Sequence, residues 1–395
     1  MVATAFSMLR GPLFCTVESK LRETVLHRFK VLFIHKSTLG ASGEASIHYY
    51  PTCLASLGHE VTIVACEGGK SEFLAGRGVR VIEISRGDGW NAGVRNAIKD
   101  AHPDIVHVFL YTGCSLVPLM SSWLRARPRY VLDIRSPLLR IGLMRVLHRV
   151  KNVVEPLPFD AIATHSVESA WTQVGRKSGL VFLPPGVDIS SVPKNFRNVG
   201  DSTRTTRKMV YIGSLDKLRN LHSLIDAFVQ AALQVPLELD IYGDGNDRAA
   251  LERRIAATPF AASVRFHGTI DRQKLFTKLP QYDFGLAYVP GGMYETAPAL
   301  KTLEYLACGL PVLATNTAGN RMFVTQDYNG LLAGPDAFSF GKAMQEICQS
   351  ETLERYRAHA RESVEQYDWS IIVKERLLPL YFRLLNQSGG DVFVG

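Results

Sequence analysis

The residues of this 395-residue chain with the clearest chemical content lie in YETAPALKTLEYLACGLPVLAT at 294–315, preceded by Pro290, Gly291 and Gly292. Adjacent glycines let a backbone approach a ligand closely, and a helix starting just after them would aim unpaired N–H groups and the positive end of its dipole at the same place. That combination suits an anion, and a diphosphate in particular. Thr296 is placed to cap the helix, Pro298 falls in its first turn, and Gly309 with Pro311 end it. At helical spacing Leu300, Leu303 and Ala307 share one face, while Lys301, Glu304 and Cys308 share another. A lysine and a carboxylate therefore stand one turn apart beside the expected anion site. The same residues also fit an ordinary strand-to-helix loop followed by a solvated Lys–Glu pair, and the pattern alone leaves both open.

The elements that must carry these residues follow from hydrophobic runs. Strands are expected at 29–35, 60–65, 79–84, 105–110, 130–134 and 161–164, and again at 209–213, 237–242, 264–267, 284–289, 312–315 and 331–333, with helical patterns between them. Unbroken apolar strands alternating with helices specify parallel sheets covered on both faces. The fold class is thus α/β, with two Rossmann-like domains, because the chain is long for a single core. The divisions expected are an extension over 1–28, a first domain over 29–188, a linker over 189–207 containing Pro193 and Gly200, and a second domain over 208–369. Ligands of open α/β sheets gather outside the carboxyl ends of the strands, so two such domains are expected to meet one ligand across a cleft.

Composition excludes several classes. With 46% hydrophobic and 21% charged residues, the chain can bury substantial cores. No run reaches the roughly 18 to 20 apolar residues of a membrane span. Six dispersed cysteines, Cys15, Cys53, Cys66, Cys114, Cys308 and Cys348, form no CxxC pair, which argues for reduced thiols, a cytoplasmic setting and no metal site. No GxGxxG follows the first strand, against a dinucleotide oxidoreductase. The net charge of +8 is concentrated in 124–151, where Arg125, Arg127, Arg129, Arg135, Arg140, Arg145, Arg149 and Lys151 face only Asp133. A helix over 138–150 would place Leu143, Leu147 and Val150 opposite Arg145, His148 and Arg149. Such a helix serves either as a solvated basic face or as a peripheral contact with an anionic membrane. Nucleic acid is not expected as a partner, since neither interleaved aromatics nor a recognised motif is obvious among the basic residues.

Six fragments then occur in order: YIGSL at 211–215, LIDAF at 224–228, LDIYGDG at 239–245, VRFHG at 264–268, EYLACGLPVLA at 304–314 and NGLL at 329–332. Together they resemble the family 4 retaining glycosyltransferases of GT-B fold. LGHEVTIV at 57–64, PDIVHV at 103–108, LDIRSP at 132–137 and PPGVD at 184–188 agree more loosely, and the tail after Trp369 resembles the closing helix, 370–386, that returns to the first domain. The resemblance implies transfer of a hexose from a nucleotide sugar of UDP or GDP type, bound by the second domain, to a sugar or lipid-linked acceptor held by the first. It implies retention of anomeric configuration, by a same-face displacement in which the departing phosphate helps deprotonate the acceptor, and neither cofactor nor metal.

Carried over residue by residue, Glu304 matches the second acid of the family's spaced pair, which holds the donor ribose. The first acid falls at Thr296, with Glu295 one place early. The family's two basic positions fall at Ser214 and Arg219, so Arg219, supplemented by Lys301, is expected to neutralise the leaving diphosphate. Arg219, Lys301 and Glu295 are the implied catalytic residues; Glu304, Gly213, Ser214, Gly243, Gly291, Gly292 and Thr296 are the implied donor contacts. On the acceptor side the loop with Gly40, Gly43 and Glu44, then His107, Asp133 and Arg135 are candidates. A core histidine and a structural Asp–Arg pair fit the last three equally well, and Phe109 stands where many relatives carry a second histidine. The departures at Ser214 and Thr296 also admit a binding protein that keeps the fold without turnover, and an inverting transferase or sugar-nucleotide epimerase would share the donor site.

Overall fold

The computed structural model describes residues 28–39, 45–69, 72–87, 89–121, 126–135, 150–166, 170, 174, 180–192 and 205–386. They form two sheets. The first contains β1 (Lys30–Thr38), β2 (Glu60–Cys66), β3 (Arg80–Ile84), β4 (Ile105–Phe109), β5 (Arg129–Ile134), β6 (Ala161–Thr164) and β7 (Val181–Phe182), in the order β3-β2-β1-β4-β5-β6-β7. The second contains β8 (Arg207–Ile212), β9 (Leu237–Tyr242), β10 (Val264–Gly268), β11 (Phe284–Ala287), β12 (Val312–Thr315) and β13 (Gly330–Ala333), in the order β10-β9-β8-β11-β12-β13, with every neighbouring pair parallel. Each strand expected from the sequence is present. The additional one, β7, is only two residues long and too short to leave a periodic signal.

Central strands are buried on both faces, as their composition requires: Val31, Leu32, Phe33 and Ile34 of β1 all lie inside. Period-two alternation in β8 divides the second unit's core. Met209 and Tyr211 join one apolar layer with Leu224, Phe228 and Phe340, while Val210 joins the other with Phe276, Leu303 and Leu306. The helices that matter below are α1 (Ser46–Ser56), α2 (Trp90–Ala101), α3 (Leu116–Met120), α4 (Leu221–Ala232), α5 (Arg272–Lys278), α6 (Leu300–Ala307) and α7 (Ala318–Arg321). Cys66, Cys114, Cys308 and Cys348 are buried and Cys53 is half-buried. No helix among the described residues is long and apolar enough to cross a membrane.

By packing, the chain divides into a unit of Met1–Leu132 with Pro158–Asp160 and a unit of Asp133–Leu157 with Ala161–Gly395, a division that passes through β5. Within the second unit the C-terminal tail explains why residues after β7 pack where they do. α8 (Trp369–Ile372) runs through a π turn, Val373–Leu377, into α9 (Leu378–Asn386). Its start is stitched to the segment after β7: Val187 N–H donates to Tyr367 O at 2.9 Å, Trp369 N–H to Val187 O at 3.2 Å, and Ile189 N–H to the Asp368 carboxylate at 3.0 Å. Asp368 also caps α8 through Ser370 N–H at 2.9 Å. The Trp369 ring fills the space beside Gly186, where an added Cβ would lie 2.6 Å from Cδ2. Gly186→Ala must push the indole away. Overpacking of this kind costs about 1–3 kcal/mol, so urea unfolding should show a loss of that size with earlier proteolysis of the tail. A midpoint equal to that of the parent protein would show that Trp369 does not hold the tail in place.

Candidate functional site

In the second sheet the chain runs from β8 outward to β9 and β10, then crosses back to β11, so β8 and β11 flank a topological switch point. The candidate donor residues gather there. Gly213, Gly243 and Gly268 follow or end three neighbouring strands, all with positive φ, and Gly213 and Gly243 have values near +150° that only glycine adopts readily. They lock to one another: Gly213 N–H donates to Tyr242 O at 3.0 Å and Gly243 N–H to Gly268 O at 2.8 Å. A Cβ on Gly243 would sit 1.8 Å from Gly213 O.

Beneath this glycine turn lies Lys301. Its Nζ is 3.8 Å from the centroid of the Tyr211 ring, and a Cβ on Gly213 would come within 2.8 Å of it. No carboxylate among the described residues forms an ion pair with Lys301. The residue as a whole keeps intermediate exposure, yet its ammonium sits against the aromatic ring under the turn. That local setting governs its acidity. Burial above all, then the charge of Arg219, drives the Lys301 pKa well below its ordinary value, with Glu304 only partly opposing. The Tyr211 hydroxyl beside it is buried without a hydrogen-bond partner. Arg219 stacks on Tyr294 at 4.3 Å, which places a second cation at the same strand ends on an aromatic support. Ser214, standing where a basic residue was expected, hydrogen-bonds Asp216 through its hydroxyl.

The helix carrying Lys301 starts later than the sequence indicated. α6 begins at Leu300 with Ala299 as its cap, so Thr296 is not the cap and Pro298 precedes the helix; Gly292–Tyr294 form a separate 3-10 turn. The reason lies in tertiary contacts that keep 295–299 out of the helix, with Glu295 in a turn and Ala299 extended. Gly319 N–H donates to Glu295 O at 2.9 Å, and an added Cβ on Gly319 would meet Ala297 O at 2.0 Å. Buried Asn320 then ties α6 to the strands, accepting from Thr302 Oγ1 at 2.8 Å and donating to Thr315 O at 2.8 Å. Leu300, expected on the core face, is exposed, and Cys308 is buried instead.

Glu304 points toward α5, where Arg272 Nη2 lies 2.9 Å from Oε1. Burial pushes its pKa up, while Arg272 and Lys301 pull it down. Arg272 was not anticipated, because nothing in its spacing marks an arginine that meets a residue 32 positions later through a helix start. Glu295 is half-buried and occupied elsewhere: its Oε1 accepts from Ala318 N–H at 2.9 Å, at the start of α7, and lies 3.7 Å from Arg321. Gly291 stands near it, with a virtual Cβ 3.7 Å from Glu295 Oε2, and Gly292 takes positive φ with open space around it. Gly213, Gly243, Arg219 and Lys301 thus converge, with Glu304 one helical turn along, whereas Glu295 serves the neighbouring turn.

In the first sheet His107 is a core residue. It is fully buried, with ring centroids of Phe33, Phe109 and Tyr50 at 5.1, 5.4 and 6.1 Å. Asp133 and Arg135 form a buried bidentate pair at 2.7 and 2.8 Å, and Arg135 Nη1 donates to Leu183 O at 2.9 Å. His165 completes this knot, its Nε2 lying 2.7 Å from Arg135 O, and burial with the Arg135 charge lowers its pKa to about 3. These three acceptor candidates are packing residues. Gly40, Gly43 and Glu44 lie outside the described residues, as does the basic helix over 138–150 apart from Val150. Of the flanking basic residues, Arg127 and Arg129 are each 3.7 Å from Asp160.

A two-sheet α/β fold with paired cations under glycine turns at a switch point defines a GT-B nucleotide-sugar transferase. Two family models match the chain: the group 1 glycosyl transferases over 194–364 and the glycosyl transferase 4-like domain over 42–173. The chain belongs to the group 1 glycosyltransferases and is a nucleotide-sugar-dependent enzyme. It is 24% identical to the phosphatidyl-myo-inositol mannosyltransferase of Mycolicibacterium smegmatis, over 81% of this chain and 84% of that protein. It is 30% identical to the GDP-mannose-dependent alpha-(1-6)-phosphatidylinositol dimannoside mannosyltransferase of Mycobacterium tuberculosis, over 53% of this chain and 54% of that enzyme. Among solved structures, the fold is similar to that of a glycosyltransferase from Rickettsia africae (TM-score 0.74, 14% identity, 92% of this chain and 100% of that one). It is also similar to that of Anabaena HepE in complex with UDP and glucose (TM-score 0.71, 16% identity, 90% and 100%).

Asp133→Ala leaves Arg135 charged and unpaired in the interior, a change that costs about 3–5 kcal/mol. Chemical unfolding should show that loss while donor affinity per folded molecule stays at the parent value. A loss under about 1 kcal/mol, comparable to a surface pair, would return the two residues to the list of acceptor contacts.

Proposed function

We propose that the enzyme transfers a hexose, with retention, from a nucleoside diphosphate sugar of the GDP-mannose type to a lipid-linked acceptor of the phosphatidylinositol class. The second domain, 208–369, binds the donor, and the first, 29–188, binds the acceptor. The observation that carries the donor reading is the Lys301 ammonium, desolvated against Tyr211 and lacking an ion-pair partner among the described residues. A buried cation without a counterion is costly, and a bound diphosphate supplies the missing charge. Arg219 adds a second charge at the same turn. As the sugar–phosphate bond breaks, negative charge accumulates on the leaving oxygens, and cations already in place stabilise that state without reorganisation. Glu304 accepts from the ribose hydroxyls, with Arg272 opposing the upward push of burial on its carboxyl pKa. Acceptor and donor class follow the relatives' names, which are GDP-mannose and phosphatidylinositol enzymes.

A lipid-linked acceptor requires the enzyme to work at the cytoplasmic face of a membrane as a peripheral protein. The exposed residues Val150, Val153 and Val154, at i, i+3, i+4 spacing on a helical segment ending at 154, and the exposed Leu157 in the turn that follows support this, since they put apolar side chains directly after the cationic run.

Mass spectrometry of products from a panel of nucleotide sugars, with phosphatidylinositol in mixed micelles as acceptor, tests the reaction. NMR of the product anomeric proton tests retention. An inverted linkage, or nucleotide release that is indifferent to acceptor, would sink the reading.

Two further outcomes test the residues. A diphosphate favours the charged form of Lys301, so binding raises its depressed pKa. Between the free and bound values binding takes up a proton, and affinity falls as pH rises through that window. Calorimetry with GDP and UDP in buffers of different ionisation enthalpy should register the uptake, and Lys301→Met should abolish it; equal uptake in the variant assigns the proton to another group. Arg219→Ala should lower kcat on the order of 10- to 1000-fold with a smaller change in donor affinity, as for other groups that stabilise transition-state charge. A kcat near the parent value removes Arg219 from the leaving-group site.

A further inference from the structure

The first sheet repeats the connectivity of the second. Its chain runs from β1 out to β2 and β3 and crosses back to β4, so β1 and β4 flank its switch point. Three residues from different elements meet at that end of the first unit: Lys36 near the end of β1, Trp90 opening α2, and Tyr111 just after β4. Lys36 Nζ lies 5.3 Å from the Tyr111 ring centroid and 5.8 Å from that of Trp90. The two rings stand edge to face at 6.0 Å, and Trp90 Nε1 donates to the Tyr111 hydroxyl at 3.3 Å. Trp90 is 1% exposed, so the aromatic floor is fixed by the core.

The backbone delivers Lys36 to this place by an irregularity. His35 pairs with Ala65 and Thr38 with Cys66, which leaves Lys36 and Ser37 outside the β1–β2 register. Bulges of this kind re-aim side chains at strand ends beside functional sites. Among the described residues Lys36 makes no ion pair. At the preceding position His35 is buried, and its Nε2 has no hydrogen-bond partner. Arg86, exposed after β3, is close enough for its charge to act on His35. This end of the first sheet therefore holds an aromatic-seated lysine with no counterion among the described residues, an unsatisfied imidazole and a further cation. The donor site in the second sheet combines the same elements: cations on aromatic rings at a switch point, unanswered by carboxylate.

We infer that the β1/β4 switch point is an anion subsite for the acceptor, in which Lys36, held over Trp90 and Tyr111, binds a phosphate ester group. The inference rests on the reading that the first domain binds the acceptor. Phosphate of this chemistry occurs in a lipid headgroup or in a free sugar or polyol phosphate. Lys36 is a binding residue here.

The test uses the full chain with Lys36→Met, which keeps the stem without the charge, and Lys36→Arg, which restores it. Probes are myo-inositol 1-phosphate, inorganic phosphate, uncharged myo-inositol, and phosphatidylcholine vesicles with and without phosphatidylinositol. The parent protein should prefer myo-inositol 1-phosphate over myo-inositol, and Lys36→Met should lose about 10- to 100-fold in that affinity, the worth of one charge-assisted hydrogen bond. Lys36→Arg should recover most of it. Fluorescence of Trp90, beneath the bound phosphate, reports occupancy. A loss seen with the soluble phosphates assigns a free phosphate, and a loss confined to phosphatidylinositol vesicles assigns the headgroup phosphodiester; either supports the subsite. Equal affinity of the parent for the charged and uncharged probes, together with vesicle binding unaltered by Lys36→Met, overturns it. Calorimetry with GDP and UDP separates the two readings. If the parent binds nucleotide and Lys36→Met changes nothing with any probe, only the subsite fails; if the parent binds no nucleotide, the donor reading fails.

Discussion

A desolvated lysine is the constraint around which the second unit is organised. Lys301 can sit under the Gly213 turn only because no side chain occupies that space, and it remains there without an ion-pair partner because Tyr211 offers its ring face. Moving α6 by a fraction of a turn would carry the ammonium away from the turn. Much of the surrounding polar structure therefore serves to fix that helix. Asn320 bonds to Thr302 and Thr315 in the interior, and the Tyr305 hydroxyl accepts from Ile212 N–H at 2.9 Å, which ties the helix to the end of β8. Satisfied buried hydrogen bonds of this kind are costly to rearrange, so the lysine cannot relax toward solvent.

The two sheets treat their switch points alike and differ in how they secure them. In the second unit, glycines at three neighbouring strand ends bring the backbone close, and two cations stand on tyrosines. In the first, a bulge lifts one lysine over a tryptophan and tyrosine locked by the core. Charges placed on aromatic faces keep their attraction for an anion while being held in position by apolar packing. Asp133 and Arg135, paired in the interior, hold segments together and leave no charge to offer a ligand.

Much of the fold was legible because parallel strands buried on both faces write themselves as short apolar runs, and every such run became a strand. The donor end was legible in part. Gly213, Gly243, Arg219, Lys301 and Glu304 carry residue types that fit anion and ribose binding, and their convergence follows from strand ends that the pattern located. His107 was ambiguous for a physical reason: a histidine within an apolar strand reads the same whether it lines a site or packs among Phe33, Phe109 and Tyr50. Thr296 has the chemistry of a cap, but capping is a local preference worth about 1 kcal/mol, and the Glu295–Gly319 pairing outweighs it.

What the sequence determined alone is what depends on neighbours along the chain: the alternation of strands and helices, the glycines that permit positive φ, and the placing of charge near helix starts. What only the tertiary structure decided is which charges lack partners. Arg272 meets Glu304, and Arg135 meets Asp133, through contacts whose energies depend on burial and distance in space. Lys301 and Lys36, by contrast, come to rest on aromatic rings contributed by other elements. Whether a buried lysine is neutralised within the protein or left to attract a ligand is set by Coulomb interactions over a few ångströms. Those distances exist only once the sheets have assembled.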